Sequence, residues 1–173
     1  IGDGKIKAEL QKKVKEMNLG EKVKFIPKVP LSQLPQYTRN AYLGFQVLNN
    51  VCFNHYSASS NKLFEYMMAG VPVVACDFPE IKRVVGNENT GLIVDSHKPE
   101  EIAEAVNRMI ADGDLRNTLS RNSLTASNKY NWEEEKVHFL GIYEEIKAGK
   151  ITYLNSRNDN TAKEDIYEEK TIG

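Results

Sequence analysis

Residues 57–70, with the sequence SASSNKLFEYMMAG, place small polar side chains directly before a strongly apolar helix pattern. Ser57, Ser60 and Asn61 precede that pattern, and Lys62 lies in its first turn. The free N–H groups at a helix N-terminus attract anions, and small polar residues let a phosphate approach closely. A cation in the first turn opposes the helix dipole, and a bound anion would remove that conflict. The segment therefore predicts a phosphate site.

Glu65 is the one acidic residue of this apolar helix. One interpretation is an ion pair with Lys62, three residues earlier, or a simple solvent-facing position. The other is a carboxylate turned into a pocket, where it holds ligand hydroxyls such as a ribose diol. The residue types alone leave both interpretations open.

Gly2-Asp3-Gly4 before a helix pattern is a second phosphate-type signal. The Gly-x-Gly pattern by itself equally suits a tight turn. Its place at a presumed strand end favours a ligand-binding loop.

Alternating short strands and helices position these residues. Apolar periodicity predicts strands at 23–26, 43–48, 71–75 and 92–94, and helices at 4–19, 33–39, 62–69 and 80–85, with a polar loop at 49–61. Further helices begin near residues 99, 115 and 131. The pattern is typical of an α/β fold, a parallel Rossmann-like sheet with helices on both faces, followed by C-terminal helices. Ligands in such sheets bind beyond the carboxyl ends of the strands, here after Ile26, Leu48 and Ala75.

The composition excludes several classes of protein. The 173 residues carry 23 Lys and Arg against 24 Asp and Glu, so a protein that coats nucleic acid is not expected. Cys52 and Cys76 form no disulfide framework and indicate a reducing compartment. His55, His97 and His138 are widely spaced, so no metal site is predicted.

Four motifs succeed one another in an order that resembles a known family. They are GDG at 2–4, VKFIPKV at 23–29, NKLFEYMMAGVPVVACD at 61–77 and NTGLIV at 89–94, and NWE at 131–133 resembles the start of the last helix. Together they resemble the C-terminal, donor-binding domain of a GT-B fold glycosyltransferase of the family-4, or group 1, type. The resemblance implies a nucleotide-sugar donor, transfer with retention of anomeric configuration, and no required metal or other cofactor.

The resemblance also assigns roles to the residues of the helix segment. Glu65 matches the second acid of the family's Glu-x7-Glu motif, which holds the donor ribose. Asn61, Lys62 and Leu63 lie where the backbone and a polar side chain meet the diphosphate. The first acid of the motif is replaced by Ser57, which leaves the sugar contacts of that acid unassigned.

Two further pairs are matched on the nucleotide side. Pro27 and Lys28 fall where main-chain groups contact the base, and Gly2 and Gly4 match the glycine loop near the nucleotide.

The likeness predicts a donor-binding domain at 1–148 that lacks its first strand and helix, with a polar tail at 149–173. The family's diphosphate-binding Arg/Lys pair lies upstream of the glycine loop and its acceptor-binding domain is a separate half, so the isolated chain is predicted to be inactive. The expected partners are a nucleotide-sugar donor and a glycan or lipid-linked acceptor for cell-surface polysaccharide or glycoconjugate, with no nucleic acid. The expected location is the cytoplasm, with peripheral association of the whole protein at the inner face of the membrane. A GT-B-like nucleotide-sugar epimerase and a non-catalytic nucleotide-binding module, favoured by Ser57, remain as alternatives.

Overall fold

A computed structural model describes residues 1–57 and 59–149. The chain divides into two compact units, residues 1–131 and a unit that begins at Trp132. The helices are α1 (Lys7–Glu16), α2 (Leu34–Arg39), α3 (Phe53–Ser57), α4 (Asn61–Met68), α5 (Pro79–Glu88), α6 (Pro99–Ala111), α7 (Gly113–Ser127) and α8 (Trp132–Lys147), and the strands are β1 (Gly44–Gln46), β2 (Val73–Cys76) and β3 (Gly91–Val94). Apart from Gly149, the predicted tail lies outside the described residues, so the domain limits stay a prediction.

The three strands form a parallel sheet in the order β1-β2-β3. The side chains of β2 alternate between two hydrophobic clusters, because successive residues of a strand point to opposite faces. Val73 and Ala75 join a cluster with residues of α4 and α5, whereas Val74 joins one with residues of α6 and α7. The sheet is therefore covered by helices on both faces, which confirms the predicted fold class.

Helix α4 is the element that the sheet fixes most closely. Leu63 and Met67, one turn apart, are at most 2% exposed and belong to the cluster on one face of the sheet. Gly44 of β1 lets the Tyr66 ring approach, since a Cβ at residue 44 would lie 2.6 Å from it. Gly70, with a positive φ of 68°, follows the end of the helix and turns the chain into β2.

Two local predictions are wrong. Residues 23–26 are not a strand, because this segment has a single ladder-like hydrogen bond, from the Gly2 N–H to the Ile26 carbonyl at 3.0 Å. A strand needs a neighbour over several residues, and the neighbouring segment enters the first turn of α1 a few residues later. The predicted polar loop at 49–61 contains α3. In this helix the ring centroid of Tyr56 lies 5.5 Å from that of Phe78.

The second unit, as far as it is described, consists of α8. The rings of Trp132, Phe139 and Tyr143 contact one another in sequence along this helix, with centroid separations of 6.3 and 5.1 Å. No described helix, α8 included, has both the length and the apolar run needed to cross a bilayer.

The packing of Gly91 against β2 leads to a prediction about this glycine. A Cβ at this position would lie 2.1 Å from the carbonyl oxygen of Val73, its register partner in β2. Since a backbone atom cannot swing aside, Gly91→Ala should lower the free energy of unfolding by at least about 2 kcal/mol, measured by urea denaturation. The matched control is Gly86→Ala within α5, where a Cβ meets nothing within 4 Å and should add about 0.5–1 kcal/mol. Equal effects of the two substitutions would contradict the packing.

Candidate functional site

The first turn of α4 is open to an anion on its outer side. Ser60, the N-cap, is extended and its side chain forms no capping hydrogen bond. The Leu63 N–H donates to the Ser60 carbonyl at 2.9 Å, and the Leu63 side chain is buried in the core. Neither the N–H nor the side chain of Leu63 is therefore available to a ligand. Within residues 1–57 and 59–149, no acceptor is found for the N–H groups of Asn61 and Lys62. These two N–H groups, the Ser60 hydroxyl and the exposed Lys62 side chain are therefore the groups of this turn that remain for a ligand, and the phosphate site itself stays a prediction.

Ser57 ends α3, close in sequence to this turn. Its hydroxyl donates to the carbonyl of Phe53 at 2.9 Å, within its own helix. At the position where the family resemblance expects the first motif acid, the Ser57 hydroxyl therefore uses its donor within its own helix.

Glu65 and Lys62 form no ion pair in the described part of the chain, which contradicts the i,i+3 pairing as an account of Glu65. Glu65 is half-buried and lines a groove of about 440 Å³ between α2 and α4. Leu34 and Arg39 face it from α2, and Leu31 from the segment just before. Glu65 thus contributes to a concave, mostly apolar surface that also carries one cationic side chain, that of Arg39.

Asp3 joins the glycine loop to the segment that follows Ile26. Its Oδ2 accepts the Lys28 N–H at 3.2 Å, and its Oδ1 accepts the Lys7 ammonium at 2.5 Å. The Gly2 N–H donates to the Ile26 carbonyl beside them. These contacts bring the predicted residues Gly2, Gly4, Pro27 and Lys28 into one neighbourhood, although far apart in sequence. The Gly-x-Gly pattern did not indicate Asp3, because Asp3 is its variable position between the two glycines.

The candidate residues occupy separate surfaces within the described part of the chain. Gly2 and Gly4 line a pocket of about 410 Å³ with Ile26. Glu65 lines the α2–α4 groove, whose lining includes neither Gly2 nor Gly4, and the pocket of the two glycines does not include Glu65. What links them in sequence is the segment from Pro27 to Leu31, which begins beside Asp3 and ends at the groove.

A polar cluster that the sequence did not predict lies at the carboxyl ends of β2 and β3. Asp77 pairs with Lys82 at 2.7 Å, and Lys98 pairs with both Asp95 and Glu101. Each acid of this cluster has a basic partner, but the three acids share two lysines, so the cluster keeps one net negative charge. The i,i+3 spacing of acids and lysine at 95, 98 and 101 was the signal available. Among the described residues, no three His, Cys, Asp or Glu side chains come together as metal ligands.

The profile of the family described as "Glycosyl transferases group 1" matches residues 1–125. The chain belongs to this family. The family resemblance and the GT-B type of fold are thereby confirmed, whereas the roles of the individual site residues stay predictions.

Three relatives illustrate the similarity of this glycosyltransferase chain. It is 28% identical over 129 residues to a D-inositol 3-phosphate glycosyltransferase of Nocardioides, covering 75% of this chain and 27% of the relative. Sucrose-phosphate synthase from Thermosynechococcus elongatus superposes with a TM-score of 0.73 at 25% identity, over 82% of this chain and 34% of that one. Anabaena HepE, solved in complex with UDP, superposes with a TM-score of 0.64 at 20% identity, over 82% and 36%, and shows the fold alone. The chain thus spans between about a quarter and a third of these proteins.

The environment of Asp3 sets a pH-dependent prediction. Its hydrogen bonds from Lys7 and from the Lys28 N–H hold the pKa of the Asp3 carboxyl below its ordinary value of 3.8. A carboxyl whose pKa falls on folding stabilises the protein above the unfolded value, and that contribution is lost as the pH falls through the folded pKa. NMR titration should therefore find Asp3 below 3.8, and Lys7→Gln should raise its pKa, because Lys7 is the largest cause of the shift.

Lys15→Gln, on the same helix α1, is the control and should leave the Asp3 titration unchanged. An Asp3 pKa at or above 3.8 in the unsubstituted chain would contradict the observed contacts.

Proposed function

We propose that this chain is the donor-binding part of a retaining glycosyltransferase that uses a nucleotide-diphosphate sugar. The observation that carries the proposal is the first turn of α4. There the N–H groups of Asn61 and Lys62 lack acceptors among the described residues, and the Lys62 ammonium has no acidic partner. A cation at the positive end of a helix is unfavourable by itself and becomes favourable when a phosphate binds between them.

In this proposal the diphosphate lies against the start of α4. Two main-chain N–H groups and the Lys62 ammonium stabilise the negative charge that develops on the leaving nucleoside diphosphate. Because Leu63 and Met67 hold the helix in the core, these N–H groups are fixed in place before the nucleotide sugar binds. Ser60 frames the same turn and leaves its hydroxyl available, since it makes no capping hydrogen bond.

Glu65 binds the ribose hydroxyls. It lies one turn beyond the phosphate site, is half-buried, and faces a groove without a hydrogen-bonding or ionic partner among the described residues. A carboxylate accepts two hydroxyl donors at once, which suits a vicinal diol. Anabaena HepE, which has the same fold, was solved in complex with UDP, and this supports our choice of a nucleoside diphosphate as the ligand.

The base lies beside the segment at Pro27 and Lys28, with the glycine loop of Gly2 and Gly4 next to it. Main-chain groups of an extended segment suit a flat heterocycle because they present hydrogen-bonding atoms along one edge. The Asp3 contacts that hold this segment support its role.

The complete reaction requires a larger protein, since this chain spans 27% of the Nocardioides relative. We propose that the remainder supplies the acceptor site and the cationic pair for the diphosphate, and that the isolated chain binds a donor without transferring sugar. The acceptor is a glycan or a lipid-linked acceptor in the biosynthesis of a cell-surface polysaccharide or glycoconjugate. The reaction needs no metal and takes place in the cytoplasm, with the whole protein attached peripherally to the membrane.

Nucleotide binding by the 173-residue chain tests the proposal, with UDP, GDP and ADP followed by NMR titration. At least one of them should perturb the amides of Asn61 and Lys62. Lys62→Ala should lower the affinity for that nucleotide about tenfold, because a charge-assisted contact to phosphate is lost. Glu65→Gln should lower the affinity for the nucleotide but leave the affinity for inorganic pyrophosphate unchanged, because pyrophosphate has no ribose.

Lys22→Ala and Glu100→Gln are matched controls on exposed positions and should bind as the unsubstituted chain does. Absence of binding by all three nucleotides, or equal binding by the Lys62→Ala variant, would overturn the proposal. If the whole protein forms an epimerised nucleotide sugar without an acceptor, the protein is an epimerase and not a transferase. If the whole protein binds a nucleoside diphosphate but consumes no nucleotide sugar with any acceptor, it is a non-catalytic nucleotide-binding module.

A further inference from the structure

The carboxylate of Asp3 occupies a position that a main-chain carbonyl normally takes. The Gly2 N–H donates to the Ile26 carbonyl at 3.0 Å, as in a parallel pair of strands. In such a pair the next hydrogen bond would run from the Lys28 N–H to the carbonyl of Gly2. Instead the Lys28 N–H donates to Asp3 Oδ2 at 3.2 Å. The side chain thus ends the ladder and holds the backbone at residues 26–28 against the glycine loop.

This contact decides which main-chain groups remain for a ligand. Proline has no N–H, and the N–H of Lys28 is taken by Asp3, so Pro27 and Lys28 offer carbonyl oxygens only. Across the described ranges neither carbonyl accepts a hydrogen bond, and the next N–H along the segment, that of Val29, has no acceptor. Pro30 then again lacks an N–H. The segment is therefore rich in acceptors and carries a single available donor.

We propose that Asp3 is a positioning residue for the nucleobase: by fixing the Lys28 N–H, it presents the carbonyls of Pro27 and Lys28 to a base that donates N–H groups. This inference rests on the proposed function, because it assumes that a nucleoside diphosphate binds with its base at this segment. It concerns a residue outside the predicted set and acts through the backbone, so Asp3 itself touches no ligand.

Each oxygen of the Asp3 carboxylate has a different partner. One oxygen bonds the Lys28 N–H and the other bonds the Lys7 ammonium. Asparagine retains an oxygen for the N–H of Lys28 and loses the negative charge, whereas alanine loses both contacts. Lys7→Gln removes the ionic partner and leaves the Asp3–Lys28 contact. The three variants therefore distinguish placement of the backbone from the ion pair.

The experiment uses the 173-residue chain, with the nucleotide that binds best and inorganic pyrophosphate titrated separately and followed by NMR. Asp3→Ala should weaken the nucleotide about fivefold, the effect of losing one ordered main-chain contact, and leave pyrophosphate affinity unchanged. Asp3→Asn and Lys7→Gln should bind the nucleotide within about twofold of the unsubstituted chain. The amide signal of Lys28 should shift in Asp3→Ala and stay near its place in Lys7→Gln.

The possible failures are distinguishable. If the unsubstituted chain binds no nucleoside diphosphate, the proposed function fails and this inference with it. If it binds and Asp3→Ala binds equally well, only the role of Asp3 is overturned. A loss of nucleotide and pyrophosphate alike in Asp3→Ala also overturns it, because Asp3 would then act on the fold as a whole.

Discussion

The packing of α4 against the parallel sheet is the constraint on which the rest of this structure depends. Leu63 and Met67 anchor the helix in the core, and Gly44 allows the Tyr66 ring to lie directly on β1. A helix held so closely cannot turn about its axis or slide along the strand without opening voids in the core. Its first turn is therefore held in a defined position, together with the N–H groups of Asn61 and Lys62, which lack acceptors among the described residues.

The same packing explains how one short segment can serve both core and surface. Along α4 the residues that face the sheet are apolar, whereas Asn61, Lys62 and Glu65 lie on the remaining surface. The helix contributes to stability through one face and is available for ligand binding through its start and its flank. The family relationship, seen over residues 1–125, covers both this helix and the glycine loop.

The glycine loop depends on a different kind of interaction. Here hydrogen bonds from Gly2 and Lys28, rather than a packed core, hold two segments together. Such contacts are weaker and more exposed than those of α4, and α1 has no buried residue. Placement of the nucleotide-side residues therefore rests on polar contacts, and placement of the phosphate-side residues rests on packing.

The sequence by itself determined the parallel α/β class, the approximate positions of most helices and the cores of all three described strands, because apolar periodicity is a local property of the chain. It also singled out the start of α4, where helix boundary and polar side chains coincide within a few residues. Tertiary structure alone decided matters that depend on distant neighbours. Residues 23–26 have strand character but lack a sufficient partner, and Gln46, polar in sequence, is 1% exposed with its amide unpartnered among the described residues. Likewise the contact of Asp3 with Lys28 spans 25 residues, and no spacing rule could have indicated it.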